Sequence, residues 1–427
     1  MNGRIFGSLS VVGAMSVSVF ESGAPVPAPA VPSPPPELLT ARVQDPYPYF
    51  AWLRRHAPAH PHRRAGRPTV WQISRYDDVR TLLTDERLSK EPDRVPGYVP
   101  GPAGLNRHLV HADPPDHTRL RALVNAAFVP RRIARLEPFI ADTANRLLDR
   151  IEQHTHVDVI AAFAAPLTFR MICAILGVPG ELDNAATRDT LMATIAPASG
   201  VDLARAEAEL HALLDLLIAG KRTGGVRDGV DLLGALVQAG DDSGAMSEEE
   251  LRSTAYLLLL VGHDTTMNLI GNGMLALLRN PDQAARLTGP RATPGLIGTA
   301  VEELLRYDSP VRDATFRCAA EPIGLHGQVI GEGDIVSLVI GSANRDETRF
   351  PDADRLDVGR TPNDHLAFGY GPHFCIGAAL ARLEGAVAFP LLLERLGPVA
   401  PAKPVEELSW RPARVMRGLA ALPVVRT

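Results

Sequence analysis

The stretch that decides the fold reads Phe368-Gly369-Tyr370-Gly371-Pro372-His373-Phe374-Cys375-Ile376-Gly377. It gathers three glycines round one cysteine and runs into a helical pattern over residues 377–396. Glycine tolerates backbone angles that other residues avoid and lets the main chain approach a flat ligand closely. Cys375 stands just before the helix start, where free N–H groups and the helix dipole favour an anion, here a thiolate. A lone cysteine is ordinarily a buried structural residue. The glycines and His373 beside it turn the reading away from a purely structural cysteine; a thiolate in such a loop can bind haem iron and push electron density onto it.

Working outward, the clearest periodic element spans residues 248–279. Ser247 with Glu250 forms a capping box, and Asn280-Pro281 ends the run. At ~1.5 Å per residue this helix is about 48 Å long and can serve as the strut of one large fold. Inside it lies Val261-Gly262-His263-Asp264-Thr265-Thr266. One threonine in such a helix usually bonds back to a carbonyl a turn earlier and bends the helix. A glycine, an acid and two hydroxyls together read as a site, because buried polar clusters are costly unless used.

Glu303 and Arg306 lie at i and i+3 of a helix expected over residues 299–307. Alone they are a common surface pair worth ~0.2–0.5 kcal/mol. His117 and Arg121, after Asp113-Pro114-Pro115, share one face of a helix over residues 115–127; the bland reading is a solvated basic face. Other helices are expected over residues 45–56, 77–83, 134–153, 166–176, 183–195 and 203–219. A strand is expected over residues 69–73, short β-like runs over 317–339, and a long Pro/Gly-rich mobile loop over 91–104.

The cysteine segment resembles the haem-binding signature of the cytochrome P450 family, matching Phe-Gly-x-Gly-x-His-x-Cys-x-Gly at every fixed position, a highly specific signal. Residues 261–265 are similar to the family's oxygen-activation motif, and Glu303-x-x-Arg306 to its Glu-x-x-Arg motif. Asn344-Arg345-Asp346 also resembles a recurrent family segment. The likeness runs from about Pro36 to the C-terminus, with the motifs in family order. It implies a mainly α fold with a minor β part, one haem domain over residues 37–427, and a long central helix over the haem. It implies haem b (iron protoporphyrin IX) with Cys375 as the axial iron ligand. Asp264 and Thr265 would be the acid–alcohol pair that supplies protons at the oxygen site. His117, Arg121, Arg317 and His373 would contact the haem propionates. Glu303 and Arg306 would hold the cysteine loop, with a third partner from Arg355 or Arg360. Val261 departs from the small residue usual at its position, which narrows the space above the haem.

The implied activity is insertion of one atom of O2 into a lipophilic small molecule, by hydroxylation or epoxidation. By analogy this is a tailoring step on a polyketide or peptide-type natural product, free or carrier-protein-bound. Pocket contacts are expected from residues 91–106, 192–201, the helix near 261, and 311–315, with Met192, Val261, Val311 and Thr315 as candidates. The apolar Leu191, Met192, Ile195 and Val261 suit a lipophilic ligand. No flavin or iron–sulfur module fits in 427 residues. Electrons are therefore expected from NAD(P)H through a flavoprotein ferredoxin reductase and a ferredoxin, docking on the cysteine-loop side. An H2O2-driven peroxygenase typically lacks the acid–alcohol pair, and a silent carrier-protein recruitment module on this fold loses the cysteine or the oxygen motif; this chain keeps all of them.

The net charge of −5 gives no nucleic-acid footprint. Three cysteines form no disulfide framework and suit a reducing, cytoplasmic setting. Residues 1–36 read as a Pro-rich extension, disordered or weakly signal-like over 4–20, and too short and polar to anchor in a membrane. A monomer is expected.

Overall fold

Ser247 caps the helix that organises the molecule. Its hydroxyl accepts from the N–H of Glu250, whose carboxylate accepts from the N–H of Ser247, so two orphan donors of the first turn are satisfied at once. The helix then runs unbroken from Glu248 to Arg279 and stops at Asn280, ahead of Pro281. Its apolar character on nearly all sides is that of a strut buried all round. Two close approaches fix its neighbours. A Cβ on Gly262 would lie 2.6 Å from Ile172 Cδ1 of the helix Ala165–Leu176, and one on Gly273 would lie 2.5 Å from Phe389 Cζ of the helix Ala378–Leu396. Glycine costs about 1 kcal/mol in a helix interior; here it lets two further helices seat directly on the strut.

This is a computed structural model, and it describes residues 31–98, 105–195, 203–224, 231–289, 292–413 and 415–426. Round the strut pack Leu203–Gly224, Leu232–Ser243 and Ile297–Tyr307, with Glu137–Ile151 seated on the helices Ala378–Leu396 and Ala165–Leu176, all sharing one large apolar core. The minor β part lies beside it. A five-stranded sheet runs in the order Ala59–His62, Val70–Ile73, Ile335–Leu338, Cys318–Ala319, Leu88–Ser89, with the second and third strands parallel. Ser89 pairs with Cys318, which sets Lys90 and Arg317 side by side at the sheet's end. A three-stranded sheet places Pro423–Arg426 between His156–Asp158 and Val399–Pro401.

The mainly α fold with a minor β part and a long central helix is as expected. Several bounds differ. The helix expected over 134–153 runs Glu137–Ile151, behind a separate short helix Pro130–Ala134, because Pro138 starts it afresh in a first turn, where its missing N–H is harmless. The helix expected at 166 is preceded by a π-helical turn, Ile160–Ala164. Residues 203–219 extend to Gly224. The extension expected over 1–36 lies outside the described residues as far as 30, and Pro36 already starts a short helix, Pro36–Ala41. Of the loop expected over 91–104, Pro92–Arg94 form a 3-10 turn and residues 99–104 lie outside the described residues. Among the described residues, no helix is long and apolar enough to cross a membrane.

Candidate functional site

The cysteine loop is built by its glycines. Gly369 and Gly371 adopt φ of 74° and 78°, in the left-handed region, and a Cβ on Gly371 would run into the Thr84 side chain. These turns bring the Cys375 N–H 2.9 Å from the Phe368 carbonyl and close the loop on itself. The thiol is accessible by surface area, yet protein surrounds it closely enough that burial raises its pKa. The Gly377 N–H and the charges of Arg121 and Arg382 act in the opposite sense. The thiolate favoured by the helix start is thus outweighed by burial in the protein alone. A cation at the sulfur would reverse that balance, since a coordinated thiol is deprotonated outright.

Two adjacent carboxylates on the helix Ile297–Tyr307 tie down the chain around this loop: Glu303 binds the segment 344–363 that precedes it, and Glu302 binds its two flanks. Glu303 and Arg306 are both fully buried and joined by a bidentate pair, 2.7 and 2.9 Å. Arg306 also donates to the carbonyls of Asn344, Ala353 and Arg355, and Glu303 accepts from the N–H of Asp357 and from Asn363. Of the two candidates for a third partner, Arg360 reaches Glu303 at 3.2 Å, whereas Arg355 contributes only its carbonyl. Glu302, which belongs to no motif read from the sequence, takes the Arg382 guanidinium at 2.7 and 2.8 Å and His365 Nε2 at 3.1 Å. These flank the cysteine loop on either side, and Arg382 stacks 4.6 Å over Phe368. Burial raises the Glu302 pKa, but the bonds from Arg382 and His365 more than offset it and hold it at about 2.

On the helix Asp116–Ala127, His117 is buried with Nε2 unpartnered, its ring 4.0 Å from that of His373, whose Nδ1 is also unpartnered. Burial, then the charge of Lys90, holds His373 at about 2, so it is neutral. Arg121 donates to the Phe374 carbonyl at 2.8 Å. Arg317 is buried beside them, its pKa lowered to about 10 by burial, and donates to the Thr315 carbonyl. Cations and unpaired imidazole nitrogens gathered in one place fit the two carboxylates of a porphyrin; with the accessible, encircled thiol, the residues present fit haem.

On the central helix, Thr265 Oγ1 donates to the Val261 carbonyl at 2.6 Å, the back-bond that a threonine in a helix makes for purely structural reasons. Asp264 is buried and paired with Arg411 at 2.6 Å; the same guanidinium nitrogen reaches Asn268 Oδ1. Arg411 comes from the C-terminal segment, and no local signal in the sequence points to it. His263 is buried against Thr168 Oγ1 at 2.8 Å, and burial brings its pKa to about 3.

The expected pocket residues are not equivalent. Met192 and Val261 are half-buried against the main core, and Leu191 is fully buried in it. Val311 bridges to Met416. The Thr315 hydroxyl accepts from the Lys90 ammonium at 2.6 Å and is already engaged. Residues 196–201 of the expected pocket turn lie outside the described residues.

Comparison with known proteins agrees with this geometry. The family profile described as Cytochrome P450 matches residues 37–195 and 296–407. The chain is 43% identical over 384 residues to Cytochrome P450 monooxygenase PikC of Streptomyces venezuelae, covering 89% of this chain and 91% of that one. It is 38% identical over 371 residues to Polyketide biosynthesis cytochrome P450 PksS of Bacillus subtilis (strain 168), covering 83% and 88%. It superposes with a TM-score of 0.79, at 33% identity and over 90% and 99% of the two chains, on P450BioI crystallised with a hexadec-9Z-enoic acid-ligated acyl carrier protein.

Proposed function

The chain belongs to the cytochrome P450 family and is a monooxygenase, and on that premise we propose that it oxidises a lipophilic small molecule in a biosynthetic tailoring step, with Cys375 as the iron ligand. The observation that carries the reading is Cys375 itself: an accessible thiol closely surrounded by protein, on a glycine-shaped loop whose two flanks Glu302 ties to the helix Ile297–Tyr307.

Haem bound there supplies the activation of O2, with two electrons and two protons sending one oxygen atom to substrate and the other to water. The protein's own residues do the rest. Cys375 holds the iron and the loop fixes the direction of its sulfur. His117, Arg121, Arg317 and His373 hold the carboxylate end of the porphyrin. Thr265 places a hydroxyl on the wall of the central helix, and Asp264 next to it holds an ionisable oxygen that Arg411 orients.

The electrons come from NAD(P)H through a ferredoxin reductase and a ferredoxin. Three cysteines are too few to build both the axial ligand and a four-cysteine iron–sulfur cluster in this chain. The cysteines are unpaired, which supports a cytoplasmic setting. A polyketide-type substrate is supported by the name of the Bacillus relative, and a carrier-bound form by the acyl carrier protein in the P450BioI crystal.

The test is reconstitution with haem, NADPH and a surrogate ferredoxin pair under heavy-isotope O2. A panel of macrolactones and of acyl chains, free and on a carrier protein, is screened first for displacement of the water on iron. We expect product carrying one labelled oxygen from O2. Label-free product, or turnover only with H2O2, would contradict the reading.

A further inference from the structure

Lys90 follows the edge strand Leu88–Ser89 and is 1% exposed. Its ammonium donates to Thr315 Oγ1 and to the Phe316 carbonyl, both at 2.6 Å and both neutral acceptors. An ammonium has three donors, and a buried cation facing only neutral groups is costly. Its strongest charged neighbour is a second buried cation, Arg317, and together with burial this pushes the lysine pKa well below its usual range. The nearby carboxylate, Asp113, does not cap the ammonium: Oδ1 takes the Lys90 backbone N–H at 2.9 Å and Oδ2 takes the Ser89 hydroxyl at 2.5 Å. Asp113 shapes the strand end instead. Asp113 also joins Lys90 to the helix Asp116–Ala127: its carbonyl accepts the His117 N–H at 2.9 Å, and the His117 ring lies 4.0 Å from that of His373. These are the two imidazoles whose free nitrogens lie together. Two buried cations and two unpaired ring nitrogens are thus gathered around a single carboxylate, Asp113, whose oxygens are already engaged.

We propose that Lys90 is an additional holder of the cofactor, donating its remaining N–H to a porphyrin carboxylate beside Arg317 and tying that carboxylate to the pocket wall at Thr315–Phe316. This rests on the haem reading above. The carboxylate supplies the charge that the cluster lacks, and the lysine joins the cofactor's anionic end to the segment that carries Thr315.

The test follows haem transfer to excess apomyoglobin from wild type and Lys90→Met, each loaded with iron protoporphyrin IX or with its dimethyl ester. Removing one charge-assisted bond should speed loss of the natural haem about tenfold. The ester, which has no carboxylate charge, should leave both proteins at the same rate within about twofold, because the bond being tested no longer exists. The urea midpoint of the haem-free variant should stay level or rise. Lys90→Gln, which keeps a donor to Thr315 but no charge, is read in the same way if the Met variant does not fold. Equal loss of natural haem by wild type and variant overturns the inference. So does equal acceleration of both haems together with a lower haem-free midpoint, which would make Lys90 only a stitch between two segments. If wild type binds iron through nitrogen, the haem-thiolate reading itself has failed before Lys90 is at issue.

Discussion

Two clusters of buried charge sit near the cysteine loop and are built in opposite ways. In the Glu303–Arg306 cluster all five N–H of the guanidinium have acceptors, and the carboxylate has cationic donors on both oxygens, with a backbone N–H on one and the Asn363 amide on the other. In the Lys90–Arg317–His117–His373 cluster, two buried cations face neutral acceptors and two ring nitrogens have no partner. Buried polar groups are ordinarily satisfied. The matched cluster is therefore scaffold, complete in the polypeptide alone, and our proposal makes the unmatched one a receptor that a ligand completes. Residue types alone would not separate them, since both are buried and basic.

The contrast can be broken at its strongest point first. Glu303→Gln leaves Arg306 buried without its counter-charge and should lower the stability of the haem-free protein by ~3–5 kcal/mol in urea unfolding. A loss under ~1 kcal/mol would mean that the cluster is not scaffold.

Glu302→Gln should cost about 2 kcal/mol at neutral pH, after discounting for partial exposure. The sign follows from the depressed pKa. The folded carboxyl titrates at about 2, below its value of 4.5 in the open chain, so its stabilisation is complete above 4.5 and fades as pH falls toward 2. Unfolding curves of wild type and variant should converge over that window; a gap that persists at pH 2 would contradict the clamp.

Arg317→Met should do the reverse of Glu303→Gln. The haem-free protein should keep its stability within about 1 kcal/mol, because a buried repulsion is relieved as a hydrogen bond is lost. Haem should leave about tenfold faster, measured by transfer to apomyoglobin. Destabilisation of the haem-free protein by several kcal/mol would place Arg317 with the scaffold.

The smallest stability effect is expected on the central helix. Thr265→Val removes a back-bond that contributes little, so the melting temperature should move by only a degree or two, about 0.5 kcal/mol. Product formed per electron consumed should nevertheless fall. An unchanged yield would reduce Thr265 to its structural contact with Val261.

The sequence is most legible where information is local. The central helix carries its own start in Ser247 and Glu250 and its own stop in Asn280-Pro281, and its ends coincide with those read from the sequence. The cysteine loop is likewise written in ten consecutive residues. The helix Leu232–Ser243 escapes a sequence reading because Gly234 and Gly240 dilute its apolar period. The three-stranded sheet cannot be read at all: each strand is three or four residues long, and the register pairs Val157 with Val424. Lys90 and Arg411 escape for the same reason. Nothing near Lys90 in sequence shows that Thr315 and Arg317 will bury it, and Arg411 meets Asp264 only through the fold.

The central claim is that the Cys375 sulfur is the ligand of a haem iron. The most direct measurement is the carbon monoxide difference spectrum of the reduced protein, for wild type and Cys375→Ala, both loaded with haem. The account predicts the red-shifted Soret band of thiolate ligation in wild type and its loss in the variant. A wild-type band at the position given by a nitrogen ligand, or a thiolate band that survives in Cys375→Ala, would contradict it.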